Sequence, residues 1–468
     1  MQDDPIGYVA EAVSTRVTDA VSNRWVIATM CIMLSLCLGA VYAWSYFQPL
    51  LVEEFRWSNT QTQWAFSLNI FFLGLSCACC AITPHKIRPK MLALAGASLF
   101  LGGYAVAAAA LGLKSLMLFY LGYGAVAGIG TGLAYVTPIS TVAKWFPDKK
   151  GLVTGMVSMG FGLGAFVVTM ILAPFLMRVL HENLPWVFAA LGVILGSVAI
   201  GSAFMVKNPP AGYTPRGYTP PEAGQGRVGD PYAKAMEAMD LPLTDYVLAG
   251  QFGFLWVMFF LHITAGISII SLQSPLYQDI WRFEHPALER SVLAGYGAAL
   301  IAVSSLCNGF GRIFWGAVSE RLGRVNAFRF LLASQMVVFG VLMTEHNPWV
   351  FAILICYVLS CFGGGFAIMP SLIIDIYGQK WMSRVFGVIL TAWATAGILG
   401  PLMVASLKDN YPDRAIVYIF LLGIHVLGVG FVFSFLVNDE LFIPRRILFE
   451  VLAVAPNTVP SRLDQGLR

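Results

Sequence analysis

The chain has 468 residues, of which 58% are hydrophobic and only 12% are charged, roughly half the charged share of a soluble domain. A soluble fold cannot hide that much apolar surface, because single cores stop growing at about 250–300 residues, so lipid must solvate much of it. The formal net charge of +4 is too small to point to nucleic acid as a partner.

Taken in chain order, residues 1–24 are polar and carry Asp3, Asp4, Glu11 and Asp19, which makes a poor signal peptide. A retained first helix is therefore expected from Trp25 onward. A bilayer-spanning helix needs about 20 mostly apolar residues. Runs of that kind lie at Trp25–Phe47, Gln63–Ile82, Met91–Leu113, Leu116–Pro138, Leu152–Leu176 and Trp186–Val206. Residues 207–251 interrupt the series with Pro209, Pro210, Pro215, Pro220, Pro221 and a repeated Gly-Tyr-Thr-Pro, the composition of a linker. A second six runs follow at Phe252–Gln273, Val292–Val318, Asn326–Met343, Trp349–Ile374, Val385–Leu407 and Ala415–Val437. The expected fold is all-α: two six-helix membrane bundles, 25–206 and 252–437, with a tail at 438–468.

The halves repeat. Gly132, Pro138 and Gly155 return as Gly364, Pro370 and Gly387, each in the fourth or fifth span of its half. Duplicated six-helix units with a site between them characterise secondary transporters. With the N-terminus in the cytoplasm, roughly three-quarters of the 29 Lys and Arg fall on that side, the bias that sets orientation in membranes. Both termini and the linker are thereby expected to be cytoplasmic.

One charge stands inside a span. Arg312 lies about six residues before the inner end of the eighth run, roughly 9 Å deep at 1.5 Å per residue. A cation at mid-membrane costs about 2.5–3.5 kcal/mol on insertion scales. No Asp or Glu stands well inside any span; Asp375, at the inner end of the tenth, is the nearest. Either the side chain snorkels to the interface, or its counter-ion is an anionic substrate held by the guanidinium fork. Asn308, one turn earlier, shares its face, and Gly309 and Gly311 allow close helix approach.

Gln63, Asn69, His262, Gln273 and His425 are further polar groups in or at the ends of spans. His262 is a candidate proton shuttle on the expectation that helices seven and one meet. Tyr42, Trp44, Tyr46 and Phe47 cluster in the first span. The eight cysteines lie in apolar runs without disulfide or zinc spacing and read as small apolar side chains. No phosphate-binding loop, metalloprotease motif or catalytic triad is found, so neither ATP-driven pumping nor enzymatic chemistry is expected, and no cofactor or metal.

Gly316 to Arg324 (Gly-Ala-Val-Ser-Glu-Arg-Leu-Gly-Arg) resembles the inter-helix loop signature of the major facilitator superfamily, with a degenerate counterpart at residues 83–90. Asn23-Arg24-Trp25, the Gly39–Trp44 segment, Lys144–Gly151, and Asn308–Arg312 followed by Phe314-Trp315-Gly316 together resemble the oxalate/formate antiporter family. The chain is also similar to monocarboxylate transporters. The resemblance implies that Arg312 binds the substrate carboxylate, with Tyr42, Gln63 and Tyr135 around a central cavity. It sets Phe161, Phe362 and Leu390 at positions where the oxalate carriers have a tyrosine and two tryptophans. Trp393 stands where those carriers have a second binding cation, a lysine. One cation and an indole suit a monocarboxylate such as formate, lactate or pyruvate better than oxalate, since an unpaired buried carboxylate costs several kcal/mol. The expected function is secondary active transport of a small organic anion, coupled to a proton or a counter-anion, by a monomeric unit in the cell membrane. A carrier of a neutral or hydrophobic solute and a non-transporting anion sensor are the alternatives.

Overall fold

The computed structural model describes residues 24–82, 88–210, 213–215, 243–248, 250–378 and 381–437. The N-terminal segment, most of the linker and the tail lie outside the described residues.

Among the described residues, twelve helices are long and apolar enough to span a membrane. They are α1 (Arg24–Phe55), α2 (Asn59–Ile82), α3 (Pro89–Gly112), α4 (Leu116–Trp145), α5 (Leu152–Val179) and α6 (Leu184–Met205) in the first half. The second half holds α7 (Gly250–Glu284), α8 (Arg290–Leu322), α9 (Arg324–Leu342), α10 (Pro348–Tyr377), α11 (Met382–Asn410) and α12 (Pro412–Ser434). A short helix, Leu243–Val247, precedes α7. Several helices outrun the apolar stretches that announce them, because helix geometry continues into the polar interface until something stops it. Gly323 ends α8 at φ +84° and Gly378 follows α10 at φ +81°, a backbone region that side chains disfavour. Arg312 is ten residues from the end of α8, about 15 Å along the axis.

Within the first half α1 packs on α4, α5 and α6, and α3 on α4 and α6; in the second, α7 packs on α8, α10 and α11, and α9 on α10 and α12. The outer helices face lipid: 28% of the most apolar window of α12 is buried, against 78% of that of α7. The two halves meet chiefly through α2 with α11 and α5 with α8, an exchange expected of duplicated units. The repeated glycines obey it. A side chain at Gly132 would collide with α2 at Leu73 and Ser76, and one at Gly364 would collide with α8 at Trp315.

The two seams differ. Along α2–α11, Gly397 presses on Ile70, Gly74 on Leu390 and Ala394, and Gly387 on Ala81. Along α5–α8, Gly162 meets Gly309 closely, whereas Gly155 has open space around it. The molecule is thus open between α5 and α8 on the side of the even-numbered connections, the face bearing residues 146–149, 323, 378 and 381.

On the opposite face a carboxylate ties the two halves together. Asp409, at the end of α11, accepts from the Asn59 backbone N–H and Nδ2 at 3.2 and 2.7 Å, and from the Thr60 N–H and hydroxyl at 2.8 and 2.6 Å. These donors begin α2, where the first-turn N–H groups lack helical partners and the helix dipole favours an anion. On the same face Arg290 pairs with Glu53, joining α8 to α1. Asp409→Ala is expected to loosen this closure by about 2–3 kcal/mol, since single hydrogen bonds to a charged group contribute roughly 1.5–3 kcal/mol. A cysteine placed at Ser274, now buried beneath an outer vestibule of about 1250 Å³, should then react faster with an impermeant maleimide. An unchanged rate would mean that Asp409 does not hold the face closed.

Candidate functional site

The site grows from the glycine contacts. In α1 a tight 3₁₀ turn, Gly39–Ala43, sets Gly39 against the backbone of Phe161, and this brings Tyr42 edge-on to the Phe161 ring at 5.2 Å. From there aromatic contacts close into a circuit across both halves. Phe161 meets Tyr135 at 4.9 Å, Tyr135 meets Trp393 at 5.6 Å, and Trp393 meets Phe366 at 4.8 Å. Phe366 meets Phe362 at 5.2 Å, and Phe362 returns to Tyr42 at 6.0 Å. Six rings from α1, α4, α5, α10 and α11 form one layer at the centre of the molecule. Tyr42, Tyr135, Phe161, Phe362 and Trp393, which the family resemblance groups together, are all in it.

Arg312 is held against this layer. Its guanidinium carbon lies 5.2 Å from the centre of the Phe366 ring, a cation–π distance. Nη1 donates to the Ser158 hydroxyl across the halves at 2.7 Å, and the hydroxyls of Tyr42 and Tyr135 stand beside it. Nε and Nη2 are buried and have no hydrogen-bond partner. The residue is 2% exposed, so it does not snorkel. Nor is Asp375 its partner, because that carboxylate lies 3.6 Å from Arg324, which also approaches Glu320 at 3.8 Å.

Two spaces flank the layer. Toward the open face a cavity of about 460 Å³ runs from Arg312, Tyr135 and Phe366 past Ser158 and Gly155 to Glu320 and Arg324 at its mouth. Toward the closed face a void of about 10 Å³, the size of one water, is lined by Tyr42, Asn308, Ser304, Ser305 and Gln273. The Asn308 side-chain oxygen and the Tyr42 hydroxyl are buried and without partners. Beyond it the Ser304 hydroxyl donates to Gln273 Oε1 at 2.7 Å. Polar residues of α7 and α8 thus lie between the guanidinium and the closed-face vestibule. The rings pack on one another: Phe161, Phe362 and Trp393 are fully buried and roof the cavity instead of lining it.

Three expected residues are placed elsewhere. Gln63 accepts from the Trp44 indole at 3.2 Å, in a separate aromatic cluster with Phe66 and Tyr123 toward the closed face. Leu390 is buried with its carbonyl against Gly74, at the α2–α11 seam and not on the cavity wall. Helices α7 and α1 do meet, but the contacts of His262 lie within its own half. Its ring packs on Phe328 at 5.1 Å, faces Gln335 of α9 at 3.4 Å and abuts Gly365 of α10, so it points into its own half and away from α1. Gly309 and Gly311 do permit close approach, to α5 and to Ser360 of α10. Sequence reasoning missed Ser158 and Phe366. Phe366 follows Phe362 by one helical turn on the same face, a spacing that could have found it; an isolated serine in an apolar helix carries no such signal.

The arrangement can bind one planar anion at a partly desolvated guanidinium edge, reached from one face. Comparison with known proteins agrees with the fold. The Major Facilitator Superfamily profile matches residues 27–401. The chain is 25% identical over 399 residues to the oxalate:formate antiporter of Oxalobacter formigenes, covering 84% of this chain and 87% of that one. It is 24% identical to apicoplast pyruvate carrier 1 of Toxoplasma gondii, covering 76% and 79%. It is 23% identical to monocarboxylate transporter 12 of Rattus norvegicus, covering 82% and 80%. Among solved structures, a bacterial homologue of the human lysosomal transporter Spinster, inward-facing and unoccupied, superposes with a TM-score of 0.63 at 14% identity, covering 90% of this chain and 99% of that one.

Proposed function

The chain belongs to the major facilitator superfamily and is a multi-pass membrane transporter, not an enzyme; we propose that it carries small monocarboxylates by alternating access, with Arg312 binding the carboxylate. One observation carries this reading: at the blind end of the cavity a guanidinium is buried with its Nε and Nη2 donors unpaired. Those two N–H groups are parallel and match the two oxygens of a carboxylate. Leaving them empty costs roughly 1–3 kcal/mol per donor, a cost that the two oxygens of one carboxylate remove together, with charge assistance.

The preference for one charge follows from what surrounds the fork. The cavity's other cation, Arg324, is engaged by Asp375 and Glu320 at the mouth. At the roof, Trp393 presents an indole where a lysine would serve a second carboxylate. Tyr135, Phe366, Ile139 and Ile313 supply apolar wall for the rest of a small acid. Among the names of the relatives, formate, pyruvate and monocarboxylate point the same way, whereas oxalate is a dicarboxylate.

In this reading the open face is cytoplasmic, as the Lys and Arg bias requires, and the membrane is that of the cell. The bundles 25–206 and 252–437 rock about the ring layer as a monomer, joined by the 207–251 linker. Reorientation breaks the Asp409 contacts and opens a path past the polar residues of α7 and α8. A proton or a counter-anion completes the cycle.

A ligand that binds only the native state stabilises it by about 2.7 kcal/mol at a hundred times its dissociation constant. Formate, lactate and pyruvate are therefore expected to raise the melting temperature of the purified protein, and oxalate and malonate to do so less. Stabilisation by dicarboxylates alone, or by no carboxylate, would refute the proposal.

A further inference from the structure

We propose that Ser158 is a positioning residue that makes the guanidinium present a single carboxylate edge, and so limits the site to one carboxylate; this rests on the reading of Arg312 as the anchor. A guanidinium has five N–H donors and more than one edge on which a carboxylate can bind. The edge formed by Nη1 and Nη2 is occupied on one side, because Nη1 is bound to the Ser158 hydroxyl at 2.7 Å. The edge formed by Nε and Nη2 is the one without partners. Phe366 lies under the guanidinium face at 5.2 Å, so ring and hydroxyl together fix both its tilt and its rotation.

The serine is placed to do this from the other half of the molecule. It belongs to α5, whereas Arg312 belongs to α8, and it lines the same cavity beside Gly155 and Thr154. Tyr135 interacts with both Ser158 and Arg312, which ties the hydroxyl into the ring layer. A hydroxyl is neutral, so it orients the cation without cancelling its charge. A carboxylate at this position would do the opposite and fill the place of the substrate. Because the bond joins the two halves, the edge is held only while α5 and α8 keep this relative position.

The test is uptake kinetics in proteoliposomes with labelled formate, lactate and pyruvate, and with malonate as competitor. Ser158→Ala is expected to raise KM for the transported monocarboxylate about five- to tenfold with Vmax within twofold of wild type, and to strengthen competition by malonate. Ser158→Thr, which keeps the hydroxyl, should retain the wild-type KM, and Ser158→Asp should abolish uptake while the protein remains monodisperse. The proposal is overturned if Ser158→Ala leaves KM and malonate competition unchanged, or if Ser158→Thr is as impaired as Ser158→Ala. Failure of the wild-type protein to carry any of the three acids would instead overturn the reading of Arg312, so the two failures are distinguishable.

Discussion

Arg312→Lys is expected to reduce monocarboxylate uptake by roughly 10- to 150-fold, although the positive charge is kept. An ammonium is a compact point charge that cannot make two parallel bonds to one carboxylate. It also cannot bind Ser158 and the substrate in the same geometry. Losing one charge-assisted hydrogen bond costs roughly 1.5–3 kcal/mol, and each 1.4 kcal/mol is about tenfold. The desolvated lysine also tends to shed its proton, which deepens the loss as pH rises. Uptake and expression level are the measurements, and wild-type uptake by a normally expressed variant removes Arg312 from the anchor role.

Trp393→Lys is expected to shift preference toward dicarboxylates by tenfold or more. The indole touches both Tyr135 and Phe366 at the cavity's end, and its N–H is buried without a partner. Through Phe366 its ring is within about 10 Å of the Arg312 guanidinium. Two cations at about 10 Å repel by roughly 1.7 kcal/mol at an effective dielectric of about 20. A dianion relieves that repulsion better than a monoanion, and specificity is the difference between the two affinities. The substitution also opens the roof, since a fully buried indole is replaced by a thinner chain. Competition of malonate or oxalate against a monocarboxylate, at two pH values, reads the shift. If the ratio does not move at the lower pH, where the lysine is most fully charged, then position 393 does not communicate with the bound anion.

What could be read before the fold was known follows physical necessity. Twelve spans were legible because the bilayer demands about 20 apolar residues from each. Arg312 was legible because a charge in hydrocarbon is costly, and Gly132 and Gly364 because duplicated helices must approach their partners at equivalent places. Direction was harder to read. His262 and Gln63 are polar residues in apolar helices, but sequence does not say which neighbour a helix face meets: the one faces Gln335 and the other Trp44. Ser158 and Asp409 act across the two halves, 154 and about 350 positions from their partners in the chain, and no local pattern marks such pairs. The resemblance set five of the rings around a cavity, whereas the structure packs them on one another above it.

The central claim is that this chain moves monocarboxylates bound at Arg312. Its most direct test is counterflow into proteoliposomes loaded with unlabelled formate, lactate or pyruvate and diluted into the labelled acid. Wild-type protein should accumulate label in a saturable way, monocarboxylates should compete better than oxalate or malonate, and Arg312→Lys should accumulate almost none. Carboxylate binding without accumulation of label, or accumulation undiminished in the variant, would contradict the account.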